Sequence, residues 1–317
     1  MEPSVAIVIP AYNGPDQLAR CLASLEAGTF KRFRVFLIDN STTDAVEQAF
    51  ARREDITYRR NRQNLGFCGA NNVGISLALD EGYEYVLLLN HDTILDPDCL
   101  ARLVGRAAAL QGAWLVTGKI HILPDQGRLW YGGGYFDPLF GAGRNHGFNS
   151  LDDGRFDHPG ETTYATGCCL LIPSEAFRKA GMLNERMFMY LDDIEFCLRA
   201  AKAGFRIFYE PAADIYHEMG TGAELQKRPG YYLYFSIRNK PLVAPGGWYG
   251  AYLHFLAIFF AIAKMIQFSL VPGITDRVGK LKALAWGAWD SLSREERYRR
   301  RFPGLFRPED IRHSGIS

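Results

Sequence analysis

The sequence predicts an α/β protein built on a doubly wound, mainly parallel sheet, followed by a helical C-terminal extension. Over the first 112 residues, short apolar runs alternate with segments of helical spacing. This β-α-β-α order is typical of parallel sheets that are covered by helices on both faces. Near residue 241 the composition becomes strongly apolar and then basic, which indicates the extension.

The first half supplies strand and helix signals in strict alternation. The strand signals are short and mostly apolar, as expected of strands buried on both faces. The helix signals place their apolar residues on one side. The predicted strands are Val5–Pro10, Arg34–Asp39, Ile56–Arg60 and Tyr85–Asn90, and the predicted helices are Asp16–Ala27, Asp44–Arg53, Gly69–Glu81 and Pro97–Leu110.

The second half is less regular. Gly132–Gly160 is rich in Gly, Asn, Asp and aromatic residues, which predicts a long irregular loop of the kind that often binds ligands or acts as a lid. Tyr164–Pro173 and Phe205–Tyr209 are strand-like, and Asp192–Ala203 has helical spacing. We therefore expect a few further strands around one more helix.

The extension contains an apolar segment, Ala251–Val271, which His254 and Lys264 interrupt. A membrane-spanning helix needs about 20 mostly apolar residues without a central charge. The segment therefore predicts an amphipathic helix that lies on a membrane surface. A core helix that packs on the body, and a true membrane span, are the alternatives. An arginine-rich stretch, residues 294–301, follows and is suited to an anionic surface.

The composition is that of a globular protein. Hydrophobic residues make up 48% of the 317 residues and charged residues 22%, and the net charge of +1 gives no support for nucleic-acid binding. The six cysteines form no C-x-x-C pair, which indicates reduced thiols rather than a zinc site or disulfides. No basic segment precedes the first apolar run, so we expect a cytoplasmic protein.

Polar residues and glycines follow three consecutive predicted strands. The carboxyl ends of parallel strands meet at one edge of the sheet, where doubly wound proteins bind ligands. Asp39 is suited to a nucleotide base or ribose, and the glycine-rich turn permits close approach to the backbone. Ordinary turn chemistry is the alternative for each residue alone. The residues are Pro10, Ala11, Tyr12, Asn13, Asp39, Asn64, Gly66, Phe67 and Asn71.

A second group of residues, Asn90-His91-Asp92, comes directly after the fourth strand. A carboxylate at the end of a buried strand is suited to a hard divalent cation that bridges diphosphate oxygens. An aspartate that forms a turn or caps a helix ahead of Pro97 is the alternative. The two interpretations stay open on the residues alone.

Two further candidates lie in the second half. Asp192, Asp193 and Glu195 open a predicted helix, where the dipole favours negative charge and capping is the ordinary role of an acid. Two adjacent acids cannot both be the cap, so one is available to accept a proton from an acceptor hydroxyl. His217 follows a strand-like run, and a structural histidine is the alternative to a ligand.

Together these segments resemble the family 2 glycosyltransferases, which have a GT-A fold with a Rossmann-like sheet. The resemblance runs from Val5 to about Lys240, and the order and spacing of the motifs agree with the family. The matching segments are Ile-Pro-Ala-Tyr-Asn (9–13), Ile-Asp-Asn-Ser (38–41), Asn-Leu-Gly-Phe (64–67), Asn71-Asn72, Leu-Asn-His-Asp-Thr (89–93), Thr-Gly-Cys-Cys-Leu (166–170), Asp-Asp-x-Glu-x-Cys-Leu-Arg (192–199), Ala-Gly-Phe-Arg-Ile (203–207), His217 and Arg238-Asn239.

The resemblance implies roles for the matched residues. It implies that Asp92 binds Mn²⁺ or Mg²⁺ with His217 as a second protein ligand. It implies that Asp193 is the catalytic base, oriented by Asp192, in a single displacement with inversion from a nucleotide diphosphate sugar to a hydroxyl acceptor. The implied donor-binding residues are the strand-end residues named above together with Asn90, His91, Thr166 and Gly167.

Two departures and a subtype follow from the same resemblance. The family's metal motif is often Asp-x-Asp, and Asn90 stands where its first acid would be. Asp192 stands where Glu is common. The Asn-Leu-Gly-Phe and Leu-Asn-His-Asp-Thr segments look most like bacterial rhamnosyltransferases that use dTDP-rhamnose to build surface polysaccharide on a saccharide or lipid-linked saccharide acceptor. A UDP-sugar transferase, for example of galactofuranose, is the alternative.

The chain is accordingly divided into a glycosyltransferase domain, residues 1–240, and an extension, residues 241–317. The domain would have a nucleotide-binding half, 1–112, and an acceptor and catalytic half, 113–240. A sugar-phosphate nucleotidyltransferase would need a basic residue after the first strand, where residues 10–14 have none. A non-catalytic sugar-binding module would not need Asp92, Asp193 and His217 in one cleft.

Overall fold

The computed structural model describes residues 3–110, 112–218, 228–293 and 297–307. Part of the arginine-rich stretch, residues 294–296, lies outside them. The strands are β1 (Val5–Ala11), β2 (Phe33–Asp39), β3 (Ile56–Arg60), β4 (Tyr85–Leu89), β5 (Thr93–Leu95), β6 (Trp114–Leu123), β7 (Leu129–Tyr131), β8 (Gly134–Asp137), β9 (Ala142–Asn145), β10 (Gly160–Thr162), β11 (Cys169–Pro173) and β12 (Arg206–Glu218).

The helices alternate with the strands in the first half and cluster at the C-terminal end. They are α1 (Pro15–Ala27), α2 (Ala45–Phe50), α3 (Gly66–Asp80), α4 (Cys99–Leu110), α5 (Ser174–Ala180), α6 (Asp192–Lys202), α7 (Gly230–Arg238), α8 (Gly247–Leu270), α9 (Arg277–Ser291) and α10 (Tyr298–Arg301). Within the described ranges, 3₁₀ turns span Glu185–Met187, Lys240–Leu242 and Pro303–Leu305.

The N-terminal part of the central sheet is parallel and doubly wound, as the sequence predicts. β1 pairs in parallel with β2 on one side and β4 on the other, and β2 pairs with β3. Every residue of β1 is buried, because helices cover both faces of the sheet. The carboxyl ends of β1, β2, β3 and β4 therefore meet at one edge, next to the residues singled out above.

The C-terminal part of the sheet is mixed, and this brings distant residues to the same edge. The strand order is β10-β12-β6-β11-β4-β1-β2-β3. β11 runs antiparallel to β4, so its start lies beside the end of β4, where the Asn90 amide donates to the Cys168 carbonyl at 2.9 Å. β12 pairs antiparallel with β5, and His217 lies opposite Thr93.

The predicted irregular loop Gly132–Gly160 is wrong in part, because it contains the hairpin β8–β9 and the start of β10. Several of the glycines that suggested a loop are required by close packing. A Cβ on Gly143 would lie 2.5 Å from Cε1 of Tyr164, and one on Gly134 would lie 2.9 Å from Cε2 of Tyr131. Their absence of side chains lets the hairpin lie flat on buried tyrosines.

Two strand predictions also differ from the structure. The predicted strand Phe205–Tyr209 continues to Glu218, with an irregularity in its pairing between Glu210 and Asp214 that accommodates Pro211. The strand predicted from Tyr164 begins at Cys169. Residues 164–168 instead cross the edge of the sheet beside the predicted site.

The extension packs on the body through one face of α8. Six buried side chains form its core: Leu233, Ile237, Ala257, Ala261, Phe268 and Leu284, from α7, α8 and α9. Among the described residues, α8 is the helix that is long and apolar enough to cross a membrane by length and composition. Only 28% of that stretch is buried, so α8 also has a large exposed apolar face.

Candidate active site

Asp92 and His217 lie side by side at the edge of the sheet. Oδ1 of Asp92 is 3.2 Å from Nε2 of His217, and the Glu218 amide donates to the Asp92 carbonyl at 2.9 Å. Asp92 lies between β4 and β5 rather than at the start of a helix, so it does not cap one. Burial alone would raise its pKa, but His217 and His91 outweigh that effect and hold the pKa of Asp92 below its ordinary value.

These two side chains fit a divalent cation. A carboxylate oxygen and an imidazole nitrogen are both groups that bind divalent cations in proteins, and here they lie 3.2 Å apart. The ring of Trp130 lies 4.8 Å from that of His217 and restricts its orientation. No cluster of three or more His, Cys, Asp or Glu side chains suited to a metal occurs in the described part of the chain. The other ligands would have to come from the donor and from water.

His91 and Asn90 connect this corner to β1. A Cβ on Gly14 would lie 3.4 Å from Nε2 of His91, so the imidazole packs on the turn after β1. Burial lowers the pKa of His91, against the opposing charge of Asp92. The Asn90 carbonyl accepts from Oγ1 of Thr93 at 2.6 Å. His91 is therefore packed between the β1 turn and Asp92.

Asp192 and Asp193 begin α6 in different surroundings. Asp192 is 4% exposed, and burial followed by the neighbouring charge of Asp193 raises its pKa well above the ordinary value. Oδ2 of Asp193 accepts from the Tyr164 hydroxyl at 3.1 Å and from the Gly167 amide at 3.4 Å. Burial still raises the pKa of Asp193, although these donors oppose it. Asp193 is thus the member of the pair better able to carry charge.

The loop that leads into α6 is strained. Phe188, Tyr190 and Leu191 have φ angles of 62°, 68° and 63°, in the left-handed region that favours glycine. Each such residue costs about 1–3 kcal/mol and persists only where surrounding contacts enforce it. Strain of this kind is common where a catalytic side chain must be held in one place.

Residues 166–168 connect the Asp92–His217 pair to the start of α6, where Asp192 and Asp193 lie. The Gly167 amide contacts Asp193, and the Cys168 carbonyl accepts from Asn90, two residues before Asp92. Burial raises the pKa of the Cys168 thiol well above its usual value, and the charges of Asp92 and, less strongly, Asp193 add to it. Oγ1 of Thr166 accepts from the Cys168 amide at 3.3 Å and fixes this turn.

Phe67 lies beside the same turn. Its ring atoms would be 3.4 Å from a Cβ on Gly167, and that Cβ would be 3.8 Å from Cβ of Asp193. Phe67 therefore reaches from the start of α3 towards Asp193. A Cβ at position 167 would be in ordinary van der Waals contact with both neighbours.

The loops after β1 and β2 are tied together around Asp39. Its Oδ1 accepts from the Ser41 amide at 2.8 Å, and its Oδ2 accepts from the Tyr58 hydroxyl at 2.7 Å. The backbone amide of Asn13 donates to Oγ of Ser41 at 2.8 Å, and the side chain of Asn13 exchanges hydrogen bonds with Oγ1 of Thr42. Ala11 pairs with Asp39 across the strands, and Pro10 precedes it. Asp39 and Asn13 shape these loops as well as lining them.

The turn before α3 is equally ordered. Asn64 accepts from the Gly66 amide at 2.8 Å and donates to the Leu305 carbonyl at 2.8 Å. Asn71 is fully buried and donates to the Phe67 carbonyl, whereas its Oδ1 has no partner. Gly66 has a φ of 73°, and a Cβ there would lie 2.5 Å from Cδ2 of Phe188.

The end of the extension lies across these loops. Arg307 donates twice to the Ser41 carbonyl, at 2.7 and 3.0 Å, and Tyr12 donates to the Gly304 carbonyl at 3.4 Å. Together with the Asn64–Leu305 bond, these contacts reach all three strand ends that the sequence assigns to the nucleotide. The sequence indicated a basic tail but not where it would pack.

Four buried side-chain atoms lack a hydrogen-bond partner within the described ranges: Arg60 Nε, Asn71 Oδ1, Asp92 Oδ1 and His217 Nδ1. Buried polar atoms in native proteins are rarely left unpaired. Three of the four belong to residues that the sequence already assigned to donor or metal, and Arg60 Nε lies 3.9 Å from Oδ2 of Asp39. Unpaired atoms concentrated at one edge indicate a polar ligand there.

Sequence reasoning missed several contributors. Tyr164 contacts Asp193 but lies in a segment predicted as a strand, and Trp130 contacts His217 but lies where no element was predicted. Tyr58 lies within β3 and shows its role only through its bond to Asp39. The local sequence gives one indication of these contributors, because Tyr164 lies two residues before the Thr166-Gly167 turn.

The fold and this edge define a glycosyltransferase of the GT-A type, which uses a nucleotide sugar. Solved structures agree on the fold. GalNAc-T7 with UDP, GalNAc and Mn²⁺ has a TM-score of 0.62 at 16% identity, over 94% of this chain and 57% of that one. S. aureus TarS 1–349 has a TM-score of 0.53 at 16% identity, over 94% and 91%. Such low identities show the fold alone.

Residues 6–181 match the Glycosyl transferase family 2 description, and the chain belongs to that family. A Haloferax volcanii hexosyltransferase of low-salt glycan biosynthesis is 27% identical over 76% of this chain and 75% of its own. The N-acetylglucosaminyl-diphospho-decaprenol L-rhamnosyltransferase of Mycobacterium tuberculosis is 28% identical over 67% and 75%. A dTDP-rhamnosyl transferase of Shigella flexneri is 22% identical over 77% and 80%. The predicted family and fold are confirmed, and the protein is a glycosyltransferase.

Proposed function

We propose that the protein is an inverting, metal-dependent glycosyltransferase that moves rhamnose from dTDP-rhamnose to a lipid-linked saccharide in bacterial surface polysaccharide synthesis. The observation that carries the proposal is the Asp92–His217 pair, with Oδ1 of Asp92 3.2 Å from Nε2 of His217, which residues 166–168 connect to Asp193. The names of two relatives support rhamnose as the sugar.

Asp92 and His217 would hold a divalent cation, Mn²⁺ or Mg²⁺, at the diphosphate of the donor. When bound there, the cation would supply positive charge against the charge that builds on the leaving nucleoside diphosphate. Asn71 Oδ1 is a free acceptor for a donor hydroxyl or amide. The loops tied to Asp39 would enclose the nucleoside.

Asp193 is suited to be the base. Its Oδ2 faces Tyr164 and Gly167, and its raised pKa makes it a stronger proton acceptor than an exposed aspartate. It would take the proton from the acceptor hydroxyl while that oxygen attacks the anomeric carbon opposite the diphosphate. The bond to the leaving oxygen breaks, its electron pair goes to the diphosphate, and the anomeric centre inverts. Asp192 would carry a proton and hold Asp193 as the charged partner.

A donor panel tests the proposal. The full-length protein would be incubated with dTDP-rhamnose, UDP-galactofuranose and a GDP-sugar, and release of the free nucleotide diphosphate would be measured with Mn²⁺, with Mg²⁺ and with EDTA. We expect dTDP release to be fastest, and EDTA to suppress it. Faster release from UDP-galactofuranose would favour the UDP-sugar alternative, and turnover unchanged by EDTA would contradict metal dependence.

The exposed face of α8 supports a lipid-linked acceptor and a peripheral position on the membrane. Six exposed apolar side chains form one stripe along it: Trp248, Phe255, Phe259, Ile262, Ile266 and Leu270. The hairpin β8–β9 extends this surface, because Tyr252 donates to the carbonyl of exposed Leu139 at 2.7 Å. The same hairpin packs on Tyr164, the donor to Asp193, so the apolar surface adjoins the base. Six buried, unpaired cysteines are compatible with the reducing cytoplasmic side.

Substitution on this stripe tests membrane binding. Phe259 and Ile262 are each 53% exposed, so F259D with I262D should leave the fold intact. Burying one such side chain in lipid contributes about 1.5–3 kcal/mol, so co-sedimentation with anionic phospholipid vesicles should weaken by about tenfold or more. The control is L151D, at an exposed position away from α8, which should bind vesicles as the wild type does. Unchanged co-sedimentation of the double variant would leave α8 as a packing helix.

A further inference from the structure

Asn239 follows the last residue of α7 and is completely buried. Its Nδ2 lies 2.7 Å from the Met187 carbonyl, 2.8 Å from the Met189 carbonyl and 3.0 Å from the Tyr190 carbonyl. A side-chain amide has two hydrogens, so one of them is shared between carbonyl groups. All three carbonyl groups belong to the loop that leads directly into Asp192 and Asp193.

Arg238 fixes the orientation of that amide. Its Nη1 donates to Oδ1 of Asn239 at 2.9 Å and to the Arg186 carbonyl, one residue before the same loop. Both side chains are buried, at 3% and 0% exposure. The nitrogen of the Asn239 amide is therefore directed at the loop, and its oxygen is directed away from it.

The loop depends on outside contacts for its conformation. Phe188, Tyr190 and Leu191 all have positive φ angles, although none is glycine. A segment of this kind relaxes when the contacts that enforce it are removed. Asn239 contacts the carbonyl groups between and beside these three residues, and so acts where relaxation would begin.

The other side of the loop contacts the donor-binding turn. The Cys68 amide donates to the Phe188 carbonyl at 3.2 Å, and Gly66 packs on the Phe188 ring. The loop is thus enclosed between the start of α3 and the end of α7. A shift of the loop would move Asp193 relative to the turn that the donor would contact.

We propose that Asn239 is a positioning residue for Asp193. Through its bonds to the Met187–Leu191 loop, Asn239 holds Asp193 opposite the donor. The inference rests on the proposed function of Asp193 as the base. It assigns to α7 a role in transfer that does not require any contact with substrate.

The variant N239A tests the proposal, with S236A as control. Ser236 lies on the same helix and donates only to the Tyr232 carbonyl within it. A misplacement of about 1 Å costs about 10²-fold in rate, so we expect kcat of N239A to fall by about 10- to 100-fold. The dissociation constant for donor should stay within about threefold, because the hydrogen bonds that N239A removes go to the loop before α6 rather than to the strand-end loops. The acidic limb of the kcat–pH profile should also shift, because Asp193 would leave the donors that surround it.

A second variant, N239D, keeps the shape of the side chain but turns acceptor oxygens towards three carbonyl groups, so it should be slower than N239A. Circular dichroism and thermal melting establish that each variant is folded. A folded N239A with kcat within twofold of the wild type would overturn the proposal. Loss of folding in both variants would also overturn it, because Asn239 would then serve stability. Full activity of D193N would instead refute the base assignment itself.

Discussion

Two carboxylate pairings at one edge of the sheet are built in opposite ways. Asp92 lies at the end of regular strands beside His217, has a lowered pKa and leaves an oxygen unpaired. Asp192 and Asp193 follow a strained loop, and burial raises the pKa of both. The Asp92–His217 pair favours negative charge, whereas the Asp192–Asp193 pair favours a bound proton.

This difference teaches how one site separates two tasks. A metal ligand must stay ionised, which neighbouring imidazoles favour. A general base must bind a proton during the reaction, which a buried setting with few donors favours. The turn at residues 166–168 contacts both corners, so their separation depends on one short segment.

The largest expected effect comes from D193N. Removing a general base costs about 10²–10⁴-fold, so we expect kcat to fall by about 10³-fold while donor affinity changes little. Single-turnover transfer and calorimetric donor binding measure the two quantities. The control is E175Q, which alters an exposed acid in the first turn of α5. Turnover of D193N near the wild-type rate would break the comparison at its catalytic corner.

The same assignment sets the pH dependence of the wild type. Asp193 accepts a proton only when ionised, and its pKa lies above the ordinary aspartate value. Activity should therefore fall, as the pH is lowered, at a higher pH than an exposed aspartate would give. A kcat–pH profile measures this limb. A limb at the ordinary aspartate pKa would contradict the raised value.

The next largest effect concerns the Asp92–His217 pair. D92N and H217Q each remove one predicted cation ligand, which should cost at least the roughly 10–100-fold in metal affinity that loss of an outer-shell partner costs. Calorimetry of donor binding with and without Mn²⁺ should show that the metal-dependent part of the affinity is lost. H158Q, at an exposed histidine, is the control. Wild-type affinity with Mn²⁺ in both variants would remove the cation from this corner.

The sequence was sufficient to predict that Asp39 and Asp92 lie at the same edge of the sheet. Asp39 ends β2, Asn71 lies in the helix after β3 and Asp92 follows β4, and the topology of parallel sheets places strand ends together. The apolar runs of β1 and β4 predicted that topology because both faces of the sheet are buried. Local pattern and fold rules therefore point to the same edge.

The sequence was insufficient to predict the contacts that surround Asp193 and the strained loop before it. The hairpin β8–β9 is glycine-rich because it packs on Tyr164, and glycine also signals loops. The contacts of Asn239 with Met187 and of Asn64 with Leu305 join residues far apart in the chain. Hydrogen bonds of this kind depend on how helices pack, and no local periodicity predicts them.

The smallest expected effect tests whether the buried carboxyl group of Asp192 carries a proton. The pKa of Asp192 is raised in the folded protein, so the folded state binds a proton more tightly than the unfolded chain does. Stability is therefore highest below the unfolded pKa of about 4 and is lost as pH rises towards the folded pKa. D192N removes this loss. Each unit of pKa difference amounts to about 1.4 kcal/mol, and about 1 kcal/mol shifts the Tm of a chain this size by about 2 °C.

Thermal melting of D192N and wild type across pH 4–8 measures the difference. We expect D192N to be the more stable protein at pH 8 by about 2 °C or more and the two to converge near pH 4. D98N, at an exposed aspartate, should give no such trend. If D192N melts below the wild type at pH 8, the buried carboxyl is ionised and stabilised in the fold. Both aspartates would then favour charge, as Asp92 does, and the contrast between the two corners would fail.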